Sequence, residues 1–547
     1  MFTENKKHFQ QELFNSFSSI NPKLQEKLKN SWAAVYYEHV FCKIDEKPFA
    51  PLYCSDNGRP NFPINILLSL EFIKNIKDWS DEEVLEQFSF NYQIMYALGE
   101  RDLSELYLAP RTLYYFRDRV YHYALENPDK EDLVFGQFEK LTGHFLGVTK
   151  TNTKEQRIDT TGIRANIKRA GRLSLAFDVL HQAVSACPKE LLTDSLKKVL
   201  EADFKTEVLY RTRTTALESK IQSLINLCVE LLAIVKVHND ICKLEKMQIL
   251  DRFLKEQAKY DEGQNSWIAK ENKEISPKSL QSAYEPNATF REKAGKKESG
   301  YVLELADTCG KENTKQFITD YALETNTTAD VDIIQKRLPK IKENTDLTDM
   351  HTDGGFYSEK VEEKAKELNV NMHYTDMTGK TPDVEKISVS AFEIDAEKII
   401  KACPTGKAPA RASFNERSGV LTAHFSCVEC VGCPNVDKCP VKIQKKDAVV
   451  RINKKSLTAA QTREKVKKER KESCSKRAAI EGTNSALKRG EGAGRLNVRG
   501  IVKGRIVIGY KVIGRNFKQL CGYFKEIARK ILALPSELTN QGISVSL

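Results

Sequence analysis

The hydrophobic period changes several times along this chain of 547 residues, and that succession limits its fold more than any other feature. Up to about Pro128, apolar residues recur at helical spacing. In "INILLSLEFIKNIKDWSDEEVLEQFSFNYQIMYALG" (64–99), Ser80 followed by Asp81, Glu82 and Glu83 predicts a capped helix start. "APRTLYYFRDRVYHYAL" (109–125) predicts another helix, entered at Pro110 and carrying Arg111, Arg117 and Arg119 among aromatics. Short helices ending in an Arg- and Tyr-rich one resemble a helix-turn-helix DNA reader. At 156–167 the pattern turns mixed and β-tolerant: "QRIDTTGIRANI" predicts a strand end with Asp159 on it and Gly162 close behind. From 170 to about 275 the chain is strongly helical, and 216–260 predicts one or two long amphipathic helices. Between 281 and 380 the order is strand, strand, helix, strand, and Asp353 precedes Gly354 and Gly355 where a strand hands over to a helix. Functional side chains collect at such strand ends, with Asp349 a nearby competitor. The chain is therefore expected to be α/β.

Charge is distributed unevenly. From Val441 to Lys530 there are 26 Lys plus Arg against 7 Asp plus Glu, so the remainder of this +11 chain is acidic overall. A surplus that dense attracts phosphate backbones, although a solvated Lys-rich helix surface would look the same. No apolar run approaches the roughly 20 residues of a bilayer span, and the start lacks the apolar stretch of a signal peptide, so a cytoplasmic protein is expected.

Five of the thirteen cysteines fall between 403 and 439, in "CPTGK" and "CVECVGCPNVDKC". Thiolates are soft ligands that Zn²⁺ gathers tetrahedrally, and Cys403, Cys430, Cys433 and Cys439 are the expected set for a structural zinc. Cys427, three residues before Cys430, is an alternative ligand, and reduced thiols packing a small loop domain are the alternative reading.

Within the basic segment, "RAAIEGTNSALKRGEGAGR" (477–495) has Glu481 at its centre. On one helix Arg477, Glu481 and Lys488 share a face, which an ordinary surface ion pair would also explain. Asp159, Asp353 and Glu481 taken together have another use: two strand-end aspartates and a helical glutamate can hold two divalent ions roughly 4 Å apart.

The order Asp, Asp, Glu, the phrase "IEGTNSALKR" and the cysteine segment resemble the DDE transposases of bacterial insertion sequences, in particular the subgroup with a cysteine-bearing insert before the last acidic residue. "RIDTTGIRANI" and "HTDGGFYSE" resemble the first and second acidic motifs. The family's signature helix runs Tyr, two residues, Arg, three, Glu, six, Lys. Here Arg477, Glu481 and Lys488 keep the spacing, and Cys474 stands where the tyrosine would be.

The resemblance implies a ribonuclease H-like core with an N-terminal helical, helix-turn-helix-like DNA-binding domain (1–130). Core segments at 131–169 and 281–400 flank a long helical insert (170–280). A small Cys-rich insert (401–445) and a basic C-terminal part of the core (446–547) follow. It implies catalysis by Asp159, Asp353 and Glu481 with Mg²⁺ or Mn²⁺, cleaving transposon ends and transferring the strand to target DNA. Arg477, Lys488, Arg495 and Arg499 would hold the backbone of double-stranded DNA, Arg111 and Arg117 would contact the ends, and a homodimer would act at the nucleoid. An inactive DNA-binding descendant and a nuclease of the same fold are the alternatives.

Overall fold

The computed structural model describes all residues except 10–14, 103–105, 131, 168–170, 294, 378–382, 384 and 533–547. In chain order the principal elements begin with α1 (Ile64–Lys77), α2 (Asp81–Phe90), α3 (Pro110–Glu126), α4 (Leu133–Thr149) and β1 (Glu155–Arg164). Next come α5 (Arg172–Ala186), α6 (Leu217–Val235), α7 (Glu245–Gln257), β2 (Thr289–Lys293), β3 (Lys296–Thr308) and β4 (Ile318–Thr325). They are followed by α8 (Asp330–Asn344), β5 (Asp349–Thr352), α9 (Glu359–Glu367), β6 (Asn371–Tyr374), β7 (Arg411–Asn415), β8 (Val420–Phe425) and α10 (Cys427–Val431). The last are β9 (Ala448–Asn453), α11 (Lys454–Ala478), α12 (Ile480–Gly490) and α13 (Ile501–Leu532). No helix among the described residues is long and apolar enough to cross a membrane.

The chain forms two compact units, and β1 contributes to both. The first comprises residues 1–152, 160–329 and 482–547. Its main core joins the N-terminal helices to α13, a helix whose buried face includes Ile508, Val512 and Phe517 and which packs on α1, α4 and β4. The predicted cap at Ser80 is present: its hydroxyl accepts from the Glu83 N–H while the Glu83 carboxylate accepts from the Ser80 N–H, so two orphan donors of the first turn of α2 are satisfied. Pro110 opens α3, where its missing N–H costs nothing.

In the same unit β3 pairs antiparallel with β2 and β4, and the later part of β1 lies against it. Gly300 permits that approach, since a Cβ there would sit 2.2 Å from the Ile163 carbonyl oxygen. The helical stretch after β1 forms its own core around Leu180, Leu224, Cys228 and Phe253. It ends earlier than its periodicity predicts, because 258–269 folds into a hairpin in which Tyr260 stands opposite Trp267. Cross-strand aromatic packing there outweighs helical propensity.

The second unit comprises residues 153–159 and 330–481. The start of β1 runs parallel to β5, with Glu155 opposite Asp349 and Arg157 opposite His351, and β5 runs parallel to β6. Helix α11 packs on β5 and β6. Its sequence, "KKSLTAAQTREKVKKERKESCSKRA", has few apolar residues, so polar contacts along its length hold it in place. Lys454 pairs with Glu363 of α9 at 3.0 Å, Lys465 donates to the Met372 carbonyl of β6, and Lys476 pairs with Glu155 of β1. A smaller antiparallel sheet of β7, β8, β9 and the strand 442–443 precedes α11, around a core that includes Leu421, Phe425 and Val450.

Candidate active site: three carboxylates around Arg477

Asp159, Asp353 and Glu481 all belong to the second unit. Asp159 sits in β1 and is 7% exposed. Asp353 follows β5, the neighbouring parallel strand, and caps the short turn Gly354–Phe356 by accepting from the Gly355 N–H at 2.8 Å. The Gly354 N–H is given instead to Asp376, so the Gly-Gly turn is fixed by two carboxylates. Glu481 lies at the start of α12, two residues past the Ala479 junction that separates α12 from α11. The continuous helix expected through Arg477 and Glu481 is therefore interrupted, yet the backbone at Ala479 stays right-handed and the two side chains still meet.

Arg477 gathers the three acids. One guanidinium nitrogen, Nη2, stands 3.2 Å from Asp159 Oδ1 and 3.6 Å from Asp353 Oδ2, while Nη1 donates to Glu481 Oε1 at 3.3 Å. Two aspartates almost 200 residues apart in sequence thus share one nitrogen. Burial alone would lower the affinity of Arg477 for its proton, but the carboxylates of Asp159 and Asp353 outweigh it and hold the guanidinium above its ordinary value. Its Nε is buried without a hydrogen-bond partner, as expected for a side chain positioned by charge rather than by hydrogen-bond saturation.

A second charged network fixes the helix that carries Arg477. His373 of β6 stands 2.8 Å from both Asp349 Oδ1 and Glu469 Oε2, one carboxylate at each ring nitrogen, tying β5 to α11. His351 stacks on His373 at 4.8 Å and lies 2.9 Å from Glu155 Oε1. Burial opposes ionisation of Glu155, yet bonds from Lys476 and His351 hold its carboxyl below the ordinary range. Asp349 is likewise held low against burial, chiefly by His373 and Thr348. The structure thereby separates the two candidates near Gly354: Asp349 opens β5 and serves the histidine, while Asp353 closes β5 and faces Arg477. Neither histidine was singled out from sequence, where an alternating His351 and an isolated His373 carry no spacing signal.

The cationic residues expected to meet DNA fall in different settings. Lys488 is half-buried on α12, two helical turns beyond Glu481. Arg495 is exposed beside a bridge to Arg164, and Arg499 is exposed with its guanidinium 5.2 Å from the Tyr284 ring. Arg111 is exposed in the first turn of α3. Arg117 is committed inside the fold. It donates to Glu71 at 2.5 Å and makes two bonds of 2.6 Å to Asp81, and Glu71 is buried. Its charge thus compensates two acids of the helical core.

Two segments of the chain match known families. Residues 29–119 match the Transposase domain (DUF772), and residues 402–521 match the Transposase DDE domain, a stretch that includes the cysteine segment, Arg477, Glu481 and Lys488. No curated protein and no solved structure gives a match. Both families describe transposase domains, so these two segments are similar to DDE transposases of the insertion-sequence type.

Proposed function

We propose that the chain cuts the ends of a mobile DNA segment and joins the freed 3′ end to target DNA, using Asp159, Asp353 and Glu481 to hold two divalent cations. The observation that carries this reading is the convergence of the three carboxylates on Arg477. Three acids from two parallel strands and a later helix have no structural need of one another, and the cation among them is a protein stand-in for a metal charge. Their donor atoms are all carboxylate oxygens, which suit hard ions such as Mg²⁺ or Mn²⁺. When bound, such ions supply a deprotonated water near neutral pH and neutralise charge on the leaving 3′ oxygen.

The protein's own groups have separate tasks. Asp159 and Asp353 are fixed by their strands, which keeps the acidic pair rigid. Glu481, with a side chain 67% exposed, is the member free to adjust as substrate arrives. Arg477 can exchange its carboxylate partners for a phosphate, since its planar donors suit either. Lys488, Arg495 and Arg499, all in the first unit, hold the DNA backbone there without reading bases. Arg111, exposed at the start of a helix, is the better candidate than Arg117 for a contact to the transposon end.

A ribonuclease H-like core is supported by the parallel run of β1, β5 and β6 in the second unit. Double-stranded DNA, both end and target, is the proposed partner of a homodimer. The test is cleavage of a labelled DNA end, identified from inverted repeats flanking the gene, in Mg²⁺ or Mn²⁺. Glu481→Gln should lower cleavage by roughly a thousandfold or more while DNA binding persists. Undiminished cleavage by that variant would remove the assignment.

A further inference from the structure

The second unit carries another cluster that the proposed chemistry does not use. Cys403, Cys430, Cys433 and Cys439 line one cavity of about 30 Å³, together with Phe425 and Val450 of the small sheet. That is room for a single ion or water. The four cysteines come from three separate turns. Cys403 ends the strand Ile400–Ala402 and begins the turn Cys-Pro-Thr-Gly-Lys. There its N–H donates to the Lys407 carbonyl at 2.9 Å, its carbonyl accepts from Gly406 at 2.8 Å, and Gly406 adopts a φ of +82° that favours glycine. Cys430 and Cys433 bracket the end of α10, with the Cys433 N–H donating to the Cys430 carbonyl at 3.3 Å. Cys439 follows the short turn 436–438.

The Cys403 sulfur lies 3.1 Å from the Thr405 hydroxyl. Cys427 is turned away: its thiol points to the Gln444 carbonyl at 3.6 Å, and it does not line the cavity. The sulfurs line the cavity without yet forming a tight ligand cluster, so an ion would draw the side chains inward.

We propose that Cys403, Cys430, Cys433 and Cys439 bind one structural Zn²⁺, with Cys427 outside the ligand set. Each thiol gives up its proton as the ion binds, and four thiolates leave no open position for substrate. The metal closes the loops that pack on the core of β8 and β9. Since β9 leads directly into α11, capped by Asn453, the zinc module also steadies the base of the helix that carries Arg477. The proposal does not depend on the DNA-cleavage reading, because its readouts are metal content and ligand spectra.

The experiment uses the full chain, purified under reducing conditions without chelator. Elemental analysis should find about one zinc per chain. A thiol-blocking mercurial should release that zinc to a metallochromic dye. Replacement by Co²⁺ should give the intense visible bands and sulfur-to-metal charge transfer of a tetrahedral thiolate site. Cys430→Ser and Cys433→Ser should lose the metal, and Cys427→Ser should retain it. Less than roughly a tenth of an equivalent of zinc in the unmodified chain, an iron chromophore, or loss of metal in Cys427→Ser would each overturn the proposal. Should the serine variants fail to fold, metal content and the cobalt spectrum of the unmodified chain still decide it.

Discussion

Arg477→Ala removes the cation shared by three carboxylates, and its cost can be worked from their exposures. The side chains of Asp159 and Arg477 are 11% and 22% exposed, so that pair behaves as largely buried. Deleting one partner of a buried pair typically costs about 3–5 kcal/mol. Asp353 is 30% exposed and Glu481 is 67% exposed, so their pairs with Arg477 are screened. The solvent-facing pair adds only about 0.2–1 kcal/mol. Some of the first cost is also recovered as water reaches the vacated space. A net loss of about 2–4 kcal/mol is expected in the presence of EDTA.

The three tryptophans, Trp32, Trp79 and Trp267, lie in the first unit, so intrinsic fluorescence is a poor reporter here. Native-state hydrogen exchange of β5 and α11 is the assay, and amides there should exchange on the order of a hundredfold faster in the variant. Millimolar Mg²⁺ should restore protection more fully in Arg477→Ala than it adds to the parent chain, because the variant presents the same acids without a competing cation. If protection is unchanged, or its loss is indifferent to Mg²⁺, the reading of Arg477 as a cation held by a metal-binding triad is wrong.

Other outcomes can be checked in parallel. Glu155 and Asp349 have depressed folded-state values, so their contribution to stability is complete above the ordinary carboxylate range of about 4 and is lost as pH falls through the lower folded values. Acid unfolding followed by exchange in β1 and β5 should therefore shift to lower sensitivity in Glu155→Gln, and an unaltered acid transition would contradict this. Arg117→Ala should destabilise the first unit by about 3 kcal/mol in urea unfolding and leave the DNA affinity of the folded fraction unchanged. A fall in affinity without loss of stability would return Arg117 to the DNA surface. Ser80→Ala should cost about 1 kcal/mol by removing one half of a reciprocal cap, read in the same urea titration. Gly300→Ala should cost several times more than Ser80→Ala, since its methyl group meets backbone rather than solvent, and equal costs would contradict that close approach.

Local chemistry made much of this legible in advance. Helix starts at Ser80 and Pro110 follow from the needs of unpaired N–H groups, and they form as read. The strand at Asp159 and the strand-to-turn handover at Asp353 rest on β-tolerant runs, again a local signal, but β1 continues through Gly162 to Arg164, so Asp159 lies in mid-strand rather than at the expected strand end. Strand β6 carries no local mark such as the Gly-Gly turn that follows β5, and its place is set by pairing with β5 rather than by its own pattern. The interruption at Ala479 was equally hidden, since nothing in "RAAIEG" opposes a helix.

The sequence by itself determined the succession of elements, the basic C-terminal quarter and the order of the three acids, because propensity, capping and charge are properties of neighbours along the chain. Tertiary structure alone decided which charges meet. Arg477 draws together Asp159, Asp353 and Glu481, Asp349 is taken by His373, Arg117 is spent on Glu71 and Asp81, and Cys427 turns away from the other four thiols. Coulomb attraction and desolvation depend on separation and burial in space, and a local pattern carries neither quantity for residues tens to hundreds of positions apart.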